Sequence, residues 1–307
     1  MQNTLTEIEQ FNKWHDSEFQ ALPEYKLKIR TFLNNTVDFI VSRTNLNQKR
    51  ILNNSEHGYR VNYTAELTDE QLEQKRLENI ERACRHARQK VHFLVRQLGA
   101  DHMLTLTTRE LITDTKLFDV IFTRFIRLVR TKYLTPYGLQ TSLHPNNWAF
   151  VGVREFQERG ALHMHIACVG RQNIAFLRAC WYVALGGHYA DSFEQARGQV
   201  DVQYSQKRFS GQSETHKTFK LVQYLCKYIS KSFEENTELG KARYKASRGI
   251  PAPIVNKQYL PVYFSSGNES FIKAMEASLR IAEFLGVENQ ELWNRGLDIF
   301  ILRGSIS

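Results

Sequence analysis

NWAFVGVREFQERGALHMHIAC, residues 147–168, is the stretch whose reading decides the fold. Two runs of apolar, β-branched and aromatic residues flank the polar Glu158-Arg159-Gly160, the pattern of two antiparallel strands joined by a tight turn. Side chains alternate between the faces of a strand, so His163 and His165, on either side of Met164, project from one face about 7 Å apart. The turn decides what stands opposite them. If Glu158-Arg159-Gly160 is a three-residue loop with Gly160 left-handed, Gln157 pairs with Ala161 and Glu155 falls opposite His163, on the histidines' face. A four-residue loop turns Glu155 to the other face and leaves Glu158, or a histidine from elsewhere such as His102, as the third polar group. Two imidazoles and a carboxylate are donors for a divalent ion with open positions, which polarises a phosphate oxygen. Taken alone, His-Met-His is equally two half-buried polar residues on a strand.

The pattern continues on both sides of this hairpin. Upstream, MLTLTT (103–108) alternates as a strand does, and LFDVIFTRFIRLVRTKY (117–133) has helical spacing. Downstream the sequence predicts a helix from Asn173 to about Leu185, a strand around Gln199 to Tyr204 and a helix from about Phe219 to Phe233. From His102 the order is β-α-β-β-α-β-α. That order predicts an α+β fold, a central antiparallel sheet of about five strands with helices on one face, and not a doubly wound parallel sheet. Ahead of it, Thr68 followed by Gln71 forms a capping-box signature that opens a leading helix over 68–98. Its Arg82, Arg85, Arg88, Lys90 and Arg96 suit a DNA-backbone contact or a solvated face equally. The expected organisation is an N-terminal flank of open role (1–65), a central domain (66–265) and a C-terminal helical segment (266–307), with both flanks mainly helical.

The segment Tyr224-Leu225-Cys226-Lys227-Tyr228-Ile229-Ser230-Lys231 sorts cleanly on a wheel of about 100° per residue. Tyr224, Lys227, Tyr228 and Lys231 share one arc, and Leu221, Val222, Leu225 and Ile229 take the neighbouring one. The phenols lie about 6 Å apart along the axis, one helical turn. A phenol is a weak nucleophile near neutral pH, and lysine charges beside a metal-bound phosphate favour its phenolate. The bland alternative is an amphipathic helix with tyrosines at its polar margin.

A formal charge of +9 favours an anionic partner such as nucleic acid. The four cysteines, Cys84, Cys168, Cys180 and Cys226, show no CxxC spacing, which argues against a zinc ribbon or a disulfide framework and fits a reducing cytoplasm. No apolar run approaches the roughly 18 residues that span a bilayer, and the N-terminus lacks a signal-peptide pattern. No GxxxxGK[ST] phosphate loop is present, which argues against a built-in motor ATPase.

Taken together, LTLTT (104–108), EFQERGALHMH (155–165) and YLCKYISK (224–231) resemble, in order, the three motifs of HUH-endonuclease replication initiators, and the doubled YxxKYxxK resembles the two-tyrosine type of phages and bacterial plasmids. The likeness covers about residues 100–265. It implies a rolling-circle initiator that nicks and rejoins single-stranded or hairpin origin DNA through a 5′-phosphotyrosine, with Tyr224 and Tyr228 as nucleophiles. Lys227 and Lys231 would contact phosphate or metal-bound water. His163, His165 and Glu155 would be ligands of Mg2+ or Mn2+. Arg243, Lys245 and Arg248 in the ARYKASRGIPAP stretch are candidate DNA contacts, or a solvated basic loop. A host helicase and polymerase are the expected partners, in a bacterial cytoplasm and with no membrane. The alternatives are an HUH transposase or mobilisation protein using the same chemistry, and a non-catalytic DNA-binding protein with a structural metal.

Overall fold

The computed structural model describes residues 25–43, 68–132, 148–170, 172–204, 214–235, 242–260, 268–296 and 299–306. In chain order its elements begin with strands β1 (Tyr25–Thr31) and β2 (Thr36–Arg43), helix α1 (Asp69–Leu98), strand β3 (His102–Thr108) and helix α2 (Thr115–Lys132). The hairpin strands β4 (Phe150–Phe156) and β5 (Leu162–Cys168) follow, then helix α3 (Ile174–Ala184), strand β6 (Gly198–Tyr204) and helix α4 (Glu214–Glu235). Strands β7 (Tyr244–Ala246) and β8 (Ile254–Leu260), helix α5 (Asn268–Phe284) and strands β9 (Val287–Arg295) and β10 (Ile299–Ile306) complete it. These elements fall into two compact units, one within Glu66–Ala252 and one drawn from Met1–Ala65 and Pro253–Ser307.

The central unit is an α+β fold around an antiparallel sheet of order β6-β3-β5-β4-β7. The β-α-β-β-α-β-α order read from His102 is the order observed. The helices cover both faces, a correction to the expected one. On one face α2 and α3 pack Phe118, Phe122, Phe125 and Trp181 against Leu104, Leu106, Met164 and Ile166. On the other, α1 and α4 pack Val91, Leu94, Val95, Leu225 and Ile229 against Val151, Val153 and Ala167. The cause is β5, whose seven residues are all buried. Leu162, Met164, Ile166 and Cys168 make one of its faces apolar, and on the other Ala167 joins Val151 and Val153 of β4, so the sheet needs cover on both sides.

Helix α1 begins where the capping box placed it: Thr68 accepts from the Gln71 amide, and the Gln71 side chain accepts from the Thr68 amide at 3.1 Å. Gly99, left-handed at φ 65°, ends it. Its C-terminal third is buried while most of its basic residues stay in solvent. Arg85 pairs with Glu81, but Arg96 is buried. Among the described residues no helix is long and apolar enough to cross a membrane.

The second unit corrects the expectation of mainly helical flanks. It is an antiparallel sheet, β8-β1-β2-β10-β9, with helix α5 on one face. Tyr25, Leu27 and Ile29 of β1 and Val37, Phe39 and Val41 of β2 face Phe271, Ala274, Ile281 and Ala282 of α5. The period-two alternation of YKLKIRT and TVDFIVSR is the reason these segments are strands. The described chain passes between the units at 252/253 rather than at 265, because β8 pairs along β1.

Candidate functional site

The β4–β5 turn has three residues. The Gln157 amide donates to the Ala161 carbonyl at 2.9 Å, the Gly160 amide donates to the Gln157 carbonyl at 2.8 Å, and Gly160 lies at φ 83°. Glu155 therefore stands opposite His163 in the ladder, and Val153 opposite His165. Arg159 holds the turn from outside: its guanidinium donates to the Arg109 carbonyl at 3.0 Å, to the Gln157 side chain at 2.7 Å and to the Thr108 carbonyl. His102 lies on the opposite face, since it shares the parity of Leu104 in β3, so it does not join the histidine pair. Glu158 sits exposed on the turn.

Both histidines are buried, at 8% and 5% exposure. Burial pushes the His163 pKa down to about 4, with the neighbouring His165 adding to the shift and Glu155 opposing it. Burial lowers His165 as well, against the pull of its hydrogen bond to Glu155. Both imidazoles are thus neutral near pH 7, the state in which a ring nitrogen offers a lone pair to a metal. His165 Nε2 lies 2.9 Å from Glu155 Oε2, and its Nδ1 lies 3.2 Å from Thr105 Oγ1. Lys231 donates to Glu155 Oε1 at 2.6 Å.

Helix α4 brings its tyrosines to the same place. Val222, Leu225 and Ile229 are at most 1% exposed against α1 and the sheet, which fixes the helix's rotation. Truncating Ile229 to alanine should cost about 2–5 kcal/mol. With that stripe buried, the Tyr228 ring stacks on His165 at 4.2 Å and 14°, and Tyr224 meets the same imidazole edge-on at 5.9 Å. The Tyr228 hydroxyl donates to the Tyr224 hydroxyl at 2.5 Å. Burial, and then the bond to Tyr224, push the Tyr228 phenol well above its usual range.

His163, His165, Glu155, Tyr224, Tyr228 and Lys231 therefore share one site, whereas four expected residues lie elsewhere. Lys227 is exposed on the outer flank of α4. Arg243 is buried, its guanidinium 4.7 Å over the Phe233 ring. Lys245 pairs with Asp119 at 2.9 Å, on a carboxylate that Arg154 also holds at 2.8 Å. Arg248 is exposed. Sequence reasoning missed Thr105 and Arg159. The first was within reach, because an antiparallel LTLTT strand beside β5 in this register puts Thr105 against His165. The second depends on backbone carbonyls that no side-chain pattern reports.

As the side chains stand, no group of three His, Cys, Asp or Glu among the described residues is arranged to hold a metal ion. The donors nonetheless suit a divalent cation. His163 Nε2 is buried without a hydrogen-bond partner among the described residues, a costly state for a polar atom and one that an ion relieves. The 2.9 Å between His165 Nε2 and Glu155 Oε2 is close to the gap of about 3 Å between adjacent ligands of an octahedral ion with bonds near 2.1 Å.

Residues 101–233, from the start of β3 almost to the end of α4, match the model of the Replication-associated protein ORF2 family. This is a rolling-circle replication initiator family, so the match supports a replication-initiator role, with endonuclease activity in general terms and origin DNA as the partner. No curated protein and no solved structure matches the chain.

Proposed function

We propose that this protein is a metal-dependent single-strand DNA endonuclease and strand transferase of the HUH two-tyrosine type, which starts rolling-circle replication by nicking origin DNA. The observation that carries the reading is the contact of both phenols with one imidazole of the buried pair: Tyr228 stacks on His165 and hydrogen-bonds to Tyr224, which meets the same ring edge-on. A tyrosine-rich amphipathic helix with no chemistry to perform has no reason to bring both hydroxyls together beside two neutral imidazoles and a lysine-held carboxylate.

His163, His165 and Glu155 would hold Mg2+ or Mn2+. When bound, the ion supplies Lewis-acid polarisation of the scissile phosphate. Thr105 Oγ1 lies 3.2 Å from His165 Nδ1 and would orient the ring: with an ion bound, an Nδ1–H donated to Thr105 Oγ1 would free the Nε2 lone pair for the metal, in place of the Nε2–H that bonds Glu155 without it. Lys231 holds the Glu155 carboxylate through its ion pair and places a positive charge where phosphate charge builds.

One phenol loses its proton and forms an Oη–P bond as the P–O3′ bond breaks. The departing 3′-oxygen takes up a proton, and the 5′-phosphate stays on the tyrosine. Bond energy is conserved, so rejoining needs no nucleotide cofactor. The second phenol, a hydrogen bond away, cuts the regenerated origin, and the freed 3′-hydroxyl attacks the first phosphotyrosine to restore its phenol and close the strand. The 3′-end left by the first cut primes a host polymerase, and a helicase recruited in trans opens the duplex.

The test is covalent capture. The protein, with Mn2+ or Mg2+, is incubated with single strands tiled over the DNA that carries its gene and run on a denaturing gel. The reading expects a protein–DNA adduct that survives in Tyr224→Phe and in Tyr228→Phe and vanishes in the double variant. No adduct with the wild-type protein on any strand refutes it.

A further inference from the structure

The sheet of the second unit presents α5 with one face, and the other face has a chemistry of its own. Register places Lys257 of β8 directly opposite Lys28 of β1, Lys28 opposite Ile40 of β2, Ile40 opposite Ile301 of β10, and Ile301 opposite Trp293 of β9. Residues directly opposite in an antiparallel sheet share a face. One row across the sheet therefore reads Lys, Lys, Ile, Ile, Trp on the side away from the helix. Trp293 is 56% exposed and Lys257 is exposed. Lys26 stands two residues from Lys28 on the same face, about 7 Å along the strand.

Two features of this row are costly for the fold alone. Like charges directly opposite one another destabilise a sheet. Their mutual field is felt at Lys28, whose pKa is lowered by burial first and then by Arg30, Lys26 and Lys257. The adjacent row shows what compensation looks like, because Arg30, Asp38, Arg303 and Glu291 alternate in sign, with Arg303 and Asp38 at 3.5 Å. An exposed tryptophan beside two half-buried isoleucines, on the face turned away from α5, likewise adds nothing to the core on the opposite face.

We infer that the face of this sheet away from α5 is a second DNA-binding surface, which takes single-stranded DNA with backbone phosphates along the Lys26, Lys28 and Lys257 edge and a base stacked on Trp293. Charge complementarity selects the polyanion. The apolar Ile40–Ile301–Trp293 stripe, with its exposed indole, selects unpaired bases, since stacking needs a free base face and tolerates any sequence. The surface lies outside residues 101–233, the part of the chain shared with the replication-associated family. It gives the chain a grip on a strand that does not depend on the tyrosines.

The test uses the full chain and a fluorescein-labelled oligothymidylate, which carries no origin, with binding read by anisotropy across a salt series. Lys28→Gln/Lys257→Gln should lower the slope of log K against log salt by about 1.4, two phosphate contacts' worth for a single strand. The charge-matched Lys116→Gln/Arg280→Gln, on α2 and α5, should leave the slope near wild type. Trp293→Ala should weaken binding roughly tenfold at every salt concentration with the slope unchanged. An equal slope in the two double variants overturns the inference, as does wild-type affinity in Trp293→Ala. The proposed nuclease is judged separately: loss of the slope alongside a normal tyrosine adduct supports both, and loss of the slope with no adduct sinks only the nuclease.

Discussion

Acidification from about pH 7 to about pH 5.5 should remove stability from the wild-type protein that His163→Gln keeps. Burial holds the folded-state pKa of His163 at about 4, against 6.5 for the free side chain. Between those values the unfolded chain binds the proton and the folded chain does not, so stability rises with pH across the window. The contribution is fully present above about pH 6.5 and is lost as pH falls toward the folded value. With each pKa unit worth 1.36 kcal/mol, the loss attributable to His163 is about 1.2 kcal/mol by pH 5.5 and about 2.4 kcal/mol by pH 4.5. His163 is 8% exposed, so solvent screening does not erase the effect. His165 is shifted in the same direction and remains in the variant, which makes the difference between the two proteins the quantity to read. Urea unfolding in EDTA, followed by circular dichroism at about pH 7 and about pH 5.5, measures it in a range where ordinary carboxylates stay ionised. If His163→Gln loses as much stability as wild type over that range, the buried neutral imidazole is not there.

Other outcomes follow from the same geometry. Gly160→Ala should destabilise the protein by about 1–2 kcal/mol in urea unfolding through its φ of 83°, because the nearest atom to the added methyl, a Leu111 methyl, is 4.0 Å away and does not clash. Gly160→Asn, which tolerates the left-handed region better, should recover part of that loss. Thr105→Val should weaken Mn2+ binding about tenfold in titration calorimetry, with Thr105→Ser close to wild type. Equal affinities for all three would show that Thr105 does not orient His165.

What could be read in the sequence was the part governed by local periodicity. Period two in ALHMHIAC and a three-residue turn ending in a left-handed glycine are enough to bring Glu155, His163 and His165 to one face, and the wheel of α4 is enough to put both tyrosines on the flank of its apolar stripe. Lys227 shows where the wheel stops. It lies on the same arc as Tyr224 and Lys231, yet the width of the buried stripe leaves it in solvent. The fate of Arg243 and Lys245 was not legible, because Phe233 and Asp119, which engage them, are remote in sequence or carry no sign of the pairing. The second sheet escaped for a related reason. Its β1 and β2 alternate clearly over a few residues, but their partners β8, β9 and β10 come from the far end of the chain, and VENQELWNR shows no apolar alternation of its own. Long-range pairing leaves little trace in a short window, whereas a capping box such as Thr68–Gln71 is complete within one.

The central claim is that tyrosine on α4 becomes covalently joined to DNA, and mapping the nucleotide-bearing peptide by mass spectrometry tests it most directly. After reaction with Mn2+ and nuclease trimming of the bound strand, the account predicts a phosphonucleotide on Tyr224 or Tyr228. A nucleotide on any other residue, or an unmodified peptide from protein that has cut its DNA, would contradict it.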